Sequence, residues 1–169
     1  MGPISDMPEA FETHGNAGRK RNSCKAVIVK ENRILLTVNH DDTGDFYLLP
    51  GGGQKFGETL LQAMQREVLE ETGWVVEPEE LILVRDYIGA NHEFARWEAD
   101  VHQTELIFKA IPVRQEEQAL VPDLWQTGVE WVESERLKSL RIYPSILNEI
   151  LPRIISGTYR EPIYLGDIN

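Results

Sequence analysis

The 169-residue chain has a single cysteine, Cys24, so no disulfide can form within it and nothing points to an oxidising compartment. Its apolar neighbours Ala26 to Val29 mark that thiol as buried and inert. Basic residues are scarce: 17 Lys and Arg stand against 28 Asp and Glu, a formal net charge of -11. A field of that sign repels nucleic acid except at a local basic patch, and the one clustered run, Arg19-Lys20-Arg21, is short. No apolar run approaches the roughly 18 residues that span a bilayer, which argues against a membrane protein. Met1 to Gly18 is polar and lacks the apolar stretch of a secretion signal, so a cytoplasmic location is expected.

Hydrophobic residues make up 41% of the chain, enough for one domain with one core. Residues 1–22, with their Gly and Pro, read as a flexible arm, residues 23–160 as the domain, and 161–169 as a C-terminal tail. Ala26 to Val29 and Ile34 to Val38 form a hairpin about Lys30 to Arg33. His40 to Asp45 reads as a loop, and Phe46 to Leu49 as a short strand stopped by Pro50 and three glycines. Leu81 to Val84 and Tyr87-Ile88 suggest another strand, and further ones are expected at Thr104 to Ile111 and Val129 to Val132, with a long polar loop from Pro112 to Gly128. Ser134 to Leu137 opens a helical turn, and a last helix runs from Ser145 to Ile155 with Pro152 near its end. This order implies an α/β fold, a mixed sheet packed between helices.

The longest helical pattern begins after Thr59, a good N-cap whose capping box is completed by Gln62, and stops at Gly73. At 100° per residue, Leu61, Met64 and Val68 share an apolar arc, with Leu60 at its edge. Glu67, Glu71 and Glu70 form a stripe along its border, where like charges repel and half-burial drives them toward protonation. A hard divalent cation with oxygen ligands resolves that conflict. Arg66, one turn before Glu70, can pair with it. Gly51-Gly52-Gly53 lets the backbone approach a bound group, offering carbonyls to a metal or amides to a phosphate. Taken singly, a Glu-rich helix is most often a solvated face and a triple glycine is usually just a loop; the spacing decides between the readings.

Gly52, Glu58 and then Arg66-Glu67-Val68-Leu69-Glu70-Glu71-Thr72-Gly73-Trp74 resemble the Nudix box, the signature of the Nudix hydrolase family. A chance match of the fixed positions at one start point has a probability on the order of 10⁻⁹. The one departure is Trp74, where the family usually has an aliphatic residue, and only a packing difference is expected from it. The resemblance implies the Nudix fold, an α/β/α sandwich, over roughly residues 24–155. It also implies a Mg²⁺ cofactor, with Mn²⁺ as a substitute, held by Glu67, Glu71 and the Gly52 carbonyl, and by Glu70 directly or through water. Glu67 is then the first candidate for the base that activates water, Arg66 orients the acids, and Glu58 is structural or holds a metal-bound water. Many members place a further acid before the strand that ends here in Trp131-Val132. The nearest position carries Gln126, and Asp123 is the best substitute, ahead of Glu116 and Glu117.

The activity so implied is hydrolysis of a phosphoanhydride by water attack on phosphorus. The substrate is a small nucleotide: a nucleoside diphosphate linked to another group, of the ADP-ribose or nucleotide-sugar type, or a nucleoside triphosphate. Outside the box, Asn91 to His102 holds groups able to grip it: Trp97 to stack, Arg96 to pair with phosphate, His92 or His102 to donate. His40 with Asp41-Asp42 is a second candidate, and Tyr143-Pro144 packs the last helix. Two alternatives remain, a non-catalytic nucleotide-sensing module and an RNA 5′-end pyrophosphohydrolase. The intact box acids weigh against the first and the net charge against the second. A homodimer is among the assemblies the resemblance allows.

Overall fold

The computed structural model describes residues 20–116 and 120–168. Nine strands are present among them: β1 (Lys20–Lys30), β2 (Arg33–Asp41), β3 (Gly44–Leu48), β4 (Gly51–Gly53), β5 (Trp74–Ile88), β6 (His102–Gln115), β7 (Gln126–Glu133), β8 (Ile142–Tyr143) and β9 (Tyr164–Asp167). The helices are α1 (Leu60–Thr72), α2 (Ala95–Glu98) and α3 (Leu147–Ile155). The sheet runs β8-β3-β2-β1-β6-β5-β9, with β4 added to β1 and β7 to β2. β1 pairs with β6 in parallel and with β2 and β4 antiparallel, so the sheet is mixed, as expected.

The β1–β2 hairpin turns at Glu31 and Asn32, both at positive φ, which suits a tight two-residue turn between twisted strands. Two apolar clusters flank the sheet. One gathers Val27, Leu36, Tyr47, Leu83 and Ile107 under Leu147, Ile150 and Leu151 of α3. The other places Ala63, Met64 and Val68 of α1 on Cys24, Ala26, Ile28, Leu35 and Phe108. Cys24 is fully buried and its thiol pKa is pushed up to about 11, mainly by burial.

Several boundaries differ from the sequence expectation. β1 begins at Lys20, so Lys20, Arg21 and Asn22 belong to the sheet, paired with His102, Gln103 and Thr104; residues 1–19 lie outside the described residues. His40 to Asp45 is no open loop, because β2 and β3 continue through it to a turn at Asp42-Thr43. β5 starts at Trp74, ahead of the expected Leu81, its register shifting around Pro78 where a ladder donor is missing. β6 runs through Pro112 to Gln115 in the same irregular stretch. Tyr164 to Asp167, expected in a tail, adds an edge strand to β5.

The α1 caps match expectation. Thr59 and Gln62 exchange capping bonds at 3.2 and 2.8 Å, and Gly73 closes the helix at φ 72 with its N–H on the Leu69 carbonyl. The buried arc is rotated, however. Leu61 is exposed while Ala63, Met64, Val68, Glu71 and Thr72 face inward. In the first turn Leu60 rather than Leu61 packs on the cluster, and Glu71 falls inside the buried arc instead of on its border.

Candidate active site

The site forms where α1 crosses β4. Glu71 is only 6% exposed, and its Oε2 accepts the Gly51 N–H at 2.9 Å. Burial pushes its pKa up to about 7; Asp123 and Glu67 push the same way, while Lys25 and the Gly51 amide pull it down. Lys25 donates its ammonium to the Gly51 carbonyl at 2.7 Å. Gly51 therefore uses both backbone groups inside the site, and its amide is directed at a carboxylate rather than offered to a phosphate.

Glu71 makes the metal-free protein sensitive to pH. Its folded pKa of about 7 lies above the ordinary value of 4.5, so its contribution to stability is full below pH 4.5 and is lost as pH rises through 7. The expected loss is on the order of 3 kcal/mol. Melting curves of the metal-free protein from pH 4.5 to 8 should show that decline, and Glu71→Gln should flatten it. An unchanged slope in the variant would assign the decline to other groups.

Arg66 organises the remaining acids. Its Nε and Nη2 grip Glu58 at 2.6 and 2.9 Å, Nη1 donates to Glu67 at 2.6 Å and to Glu70 at 3.2 Å, and Nη2 also reaches the Gly53 carbonyl at 3.1 Å. Two parallel bonds to Glu58 make the strongest pairing in the set. They hold its carboxyl down at about 2, aided by the Lys55 N–H. The pairing of Arg66 with Glu70 that the helical spacing allowed is present. Glu58, just outside the N-cap, adds a closer partner.

Gly52 is the point of closest approach. A Cβ there would lie 2.6 Å from Glu67 Oε2, so only glycine lets the carboxylate rest against the backbone. Among the described residues no three His, Cys, Asp or Glu side chains converge tightly enough to hold a metal ion. Arg66 draws Glu58, Glu67 and Glu70 to itself, and Glu71 is taken by Gly51. The donor chemistry nonetheless fits a hard cation: the oxygens of Glu67, Glu70 and Glu71 share one face of α1 beside the glycine strand.

Gln126, where an acid was sought, donates its side-chain amide to the Glu71 carbonyl at 2.7 Å. It fastens the helix end and supplies no charge. Asp123 lies close enough for its charge to be felt at Glu71, and its carbonyl accepts the Gln126 N–H. Glu117 lies outside the described residues, and Glu116 pairs with Arg114. A cavity of about 310 Å³ opens beside this end of α1, lined by Thr72, Leu120, Pro122, Gln126 and Val129 among others.

The segment from Asn91 to His102 carries the short helix α2. His92, expected to donate to a phosphate, stacks on Tyr87 at 5.3 Å and bonds Asp167 at 2.6 Å. Its side chain is 9% exposed, so it anchors β9 to this segment and is not turned toward a ligand. Trp97 is 71% exposed, with Arg96 over its ring at 5.6 Å. Phe94 instead reaches across to Tyr143 at 5.0 Å, and Phe46 meets the same ring at 5.8 Å. His40 pairs with Asp45, and Asp41 with Arg141 through two bonds. Lys25 is the site residue that sequence reasoning missed; a lone lysine between Cys24 and Ala26 was its only signal.

The fold and this arrangement of box residues define a Nudix protein. The NUDIX domain family model matches residues 19–154, and the chain belongs to that family. It is 36% identical over 87 residues to the human (Homo sapiens) 8-oxo-dGDP phosphatase NUDT18, a match covering 48% of this chain and 27% of that protein. The chain thus spans about a quarter of the length of that curated relative. A solved NUDIX hydrolase from Nitrosomonas europaea superposes with a TM-score of 0.68 at 21% identity, covering 86% of this chain and 94% of that one. An ADP-ribose pyrophosphatase from Streptococcus suis gives 0.59 at 19% identity, with 88% and 98% covered. Among the described residues no helix is long and apolar enough to cross a membrane.

Proposed function

We propose that the chain hydrolyses a phosphoanhydride bond in a small nucleotide carrying a nucleoside diphosphate group, with a divalent cation, Mg²⁺ in the first place, as cofactor. The observation that carries this reading is the pairing of Glu67 against Gly52 with the buried Glu71 on the Gly51 amide. Burial makes Glu71 a poor place for an isolated charge, a cation that displaces its proton meets little competition from water, and its neighbours on α1 complete an all-oxygen donor set. Glu67, Glu70, Glu71 and the Gly52 carbonyl would hold the cation, whose bound charge neutralises the phosphates and lowers the pKa of water.

The chain's own residues supply the rest. Glu67 is the base that takes the proton from the attacking water. Arg66 restrains Glu67 and Glu70 until the cation competes for them, and its grip on Glu58 keeps the guanidinium in place afterwards. Asp123 adds charge at the same end of α1 and is the second candidate for the base. The cavity beside Gln126 has the volume of a small-ligand cleft and is one place for the non-phosphate part of the substrate. Arg96 and the exposed Trp97 are a second gripping surface. The relatives named for 8-oxo-dGDP and ADP-ribose support a diphosphate-bearing substrate.

A screen of ADP-ribose, nucleoside diphosphate sugars, dinucleoside polyphosphates and oxidised nucleotides, with Mg²⁺ or Mn²⁺ and released phosphate or nucleotide as readout, tests this. Cation-dependent release from at least one of them is expected. No release from any of them would leave the nucleotide-sensing alternative in its place.

A further inference from the structure

The acids occupy only one side of the glycine strand. Successive residues of a strand point to opposite faces. A Cβ on Gly52 would meet Glu67, whereas one on Gly53 would lie 3.7 Å from an Nη of Arg21. β4 pairs with β1 alone, so its other edge is open. At that edge Gly51 offers its N–H to Glu71 and its carbonyl to Lys25, and Gly53 offers its carbonyl to Arg66. Carboxylates therefore flank the open edge from the face under α1, and Arg21 and Lys25 flank it from the other.

Among the described residues Arg21 and Lys25 share the lack of an ion pair with Lys20, Lys30, Lys55, Arg96, Lys138 and Arg160, and what sets them apart is their place beside β4. Arg33, Arg66, Arg85, Arg114, Arg136, Arg141 and Arg153 each pair with a carboxylate. In a chain with 28 acidic residues, Arg21 and Lys25 form no ion pair among the described residues. Arg21 is nonetheless held in place. Its Nε donates to Gln103 at 3.0 Å, and the Gln103 amide donates to Glu105, which is locked to Arg85. Gln103, Glu105 and Arg85 are all buried, so this chain of bonds aims an exposed guanidinium beside the glycine strand.

We propose that Arg21 and Lys25 are phosphate ligands, a cationic flank that holds the substrate's diphosphate against the open edge of β4 opposite the acids. The proposal rests on the reading of this edge as the phosphate site. A diphosphate entering an edge lined with carboxylates needs opposite charge on its second side, and a fixed guanidinium supplies paired donors for phosphate oxygens. Lys25 exchanges its bond to the Gly51 carbonyl for a phosphate oxygen. Gln103 acts through Arg21 and is a positioning residue.

The test is calorimetric binding of ADP in the presence of Mg²⁺. Arg21→Gln and Lys25→Gln should each weaken binding about tenfold or more, the worth of a charge-assisted hydrogen bond. Arg160→Gln, the same charge change on an exposed arginine, should alter it less than about twofold. Lys25→Arg keeps the charge and should retain most of the affinity, which separates ligand loss from misfolding. With any substrate found in the screen, KM should rise by the same factor as ADP affinity falls, with a smaller fall in kcat. Equal effects from Arg160→Gln, or ADP binding indifferent to Arg21 and Lys25, would overturn the proposal, as would a wild-type protein that does not bind ADP. ADP binding that depends on Arg21, without cleavage of any screened compound, would instead keep this flank and remove the hydrolytic reading.

Discussion

Glu67→Gln is expected to lower turnover by a factor of about 10³ while leaving the fold intact. The glutamine keeps the volume that fits against Gly52 and still accepts a bond from Arg66, so little packing changes. It removes the negative charge and, on the proposed reading, the proton acceptor together. Loss of a general base alone costs about 10² to 10⁴ in rate, and a weakened cation site adds to it. Glu71→Gln should bring a comparable loss by another route, because it leaves the base in place and removes the buried ligand. Steady-state kinetics on the substrate found in the screen, with melting curves as the control for folding, give the comparison. Near-normal turnover in both variants would sink the assignment of the site.

Gly51→Ala should have the largest effect on stability. Its φ is +132°, a region that L side chains rarely adopt, and an added Cβ would lie 2.1 Å from the Cys24 carbonyl oxygen and 2.7 Å from the Lys25 Cα. Both are backbone atoms of the central strand, so no rotamer change relieves the contact. Strain and overpacking together amount to a loss on the order of 4 kcal/mol. Gly44→Ala separates the two causes, since φ there is +119° with nothing within 4 Å of the added Cβ. Denaturant titration should find the Gly44 variant far less affected. Equal losses would mean that backbone conformation, and not the close approach to β1, governs Gly51.

What could be read from the sequence depended on how local the cause was. The capping box at Thr59, the stop at Gly73 and the β1–β2 hairpin follow from neighbouring residues, and all three are present. The box spacing likewise placed Glu67, Glu70 and Glu71 on one helix beside a glycine strand. The pairing of Arg66 with Glu70 was legible and is present, but the closer pairing with Glu58 was less visible, because Glu58 reaches Arg66 only through the path of the chain before α1. Nothing local marks Arg21 as part of β1, since its pairing partner Gln103 lies far along the chain. The anchoring of His92 by Asp167 was out of reach for the same reason. Gln126 was noticed as a missing acid, but its role in fastening the Glu71 carbonyl needed coordinates.

The parallel pairing of β1 with β6 also bears on how the chain acquires its shape. β1 sits mid-sheet, and its longest ladder, from Lys20 to Ile28, is made with residues 102–110. Closing so long an intervening segment costs entropy before any contact is gained, and such non-local pairings slow folding. The β1–β2 hairpin and α1 can form early from nearby residues, but β1 then lacks the partner on its other side. During synthesis, the glycine strand and its helix would wait for β6 to emerge before their geometry is fixed. The residues proposed to carry the chemistry on β4 and α1 lie close together in sequence, yet their alignment depends on a ladder made with a segment far along the chain.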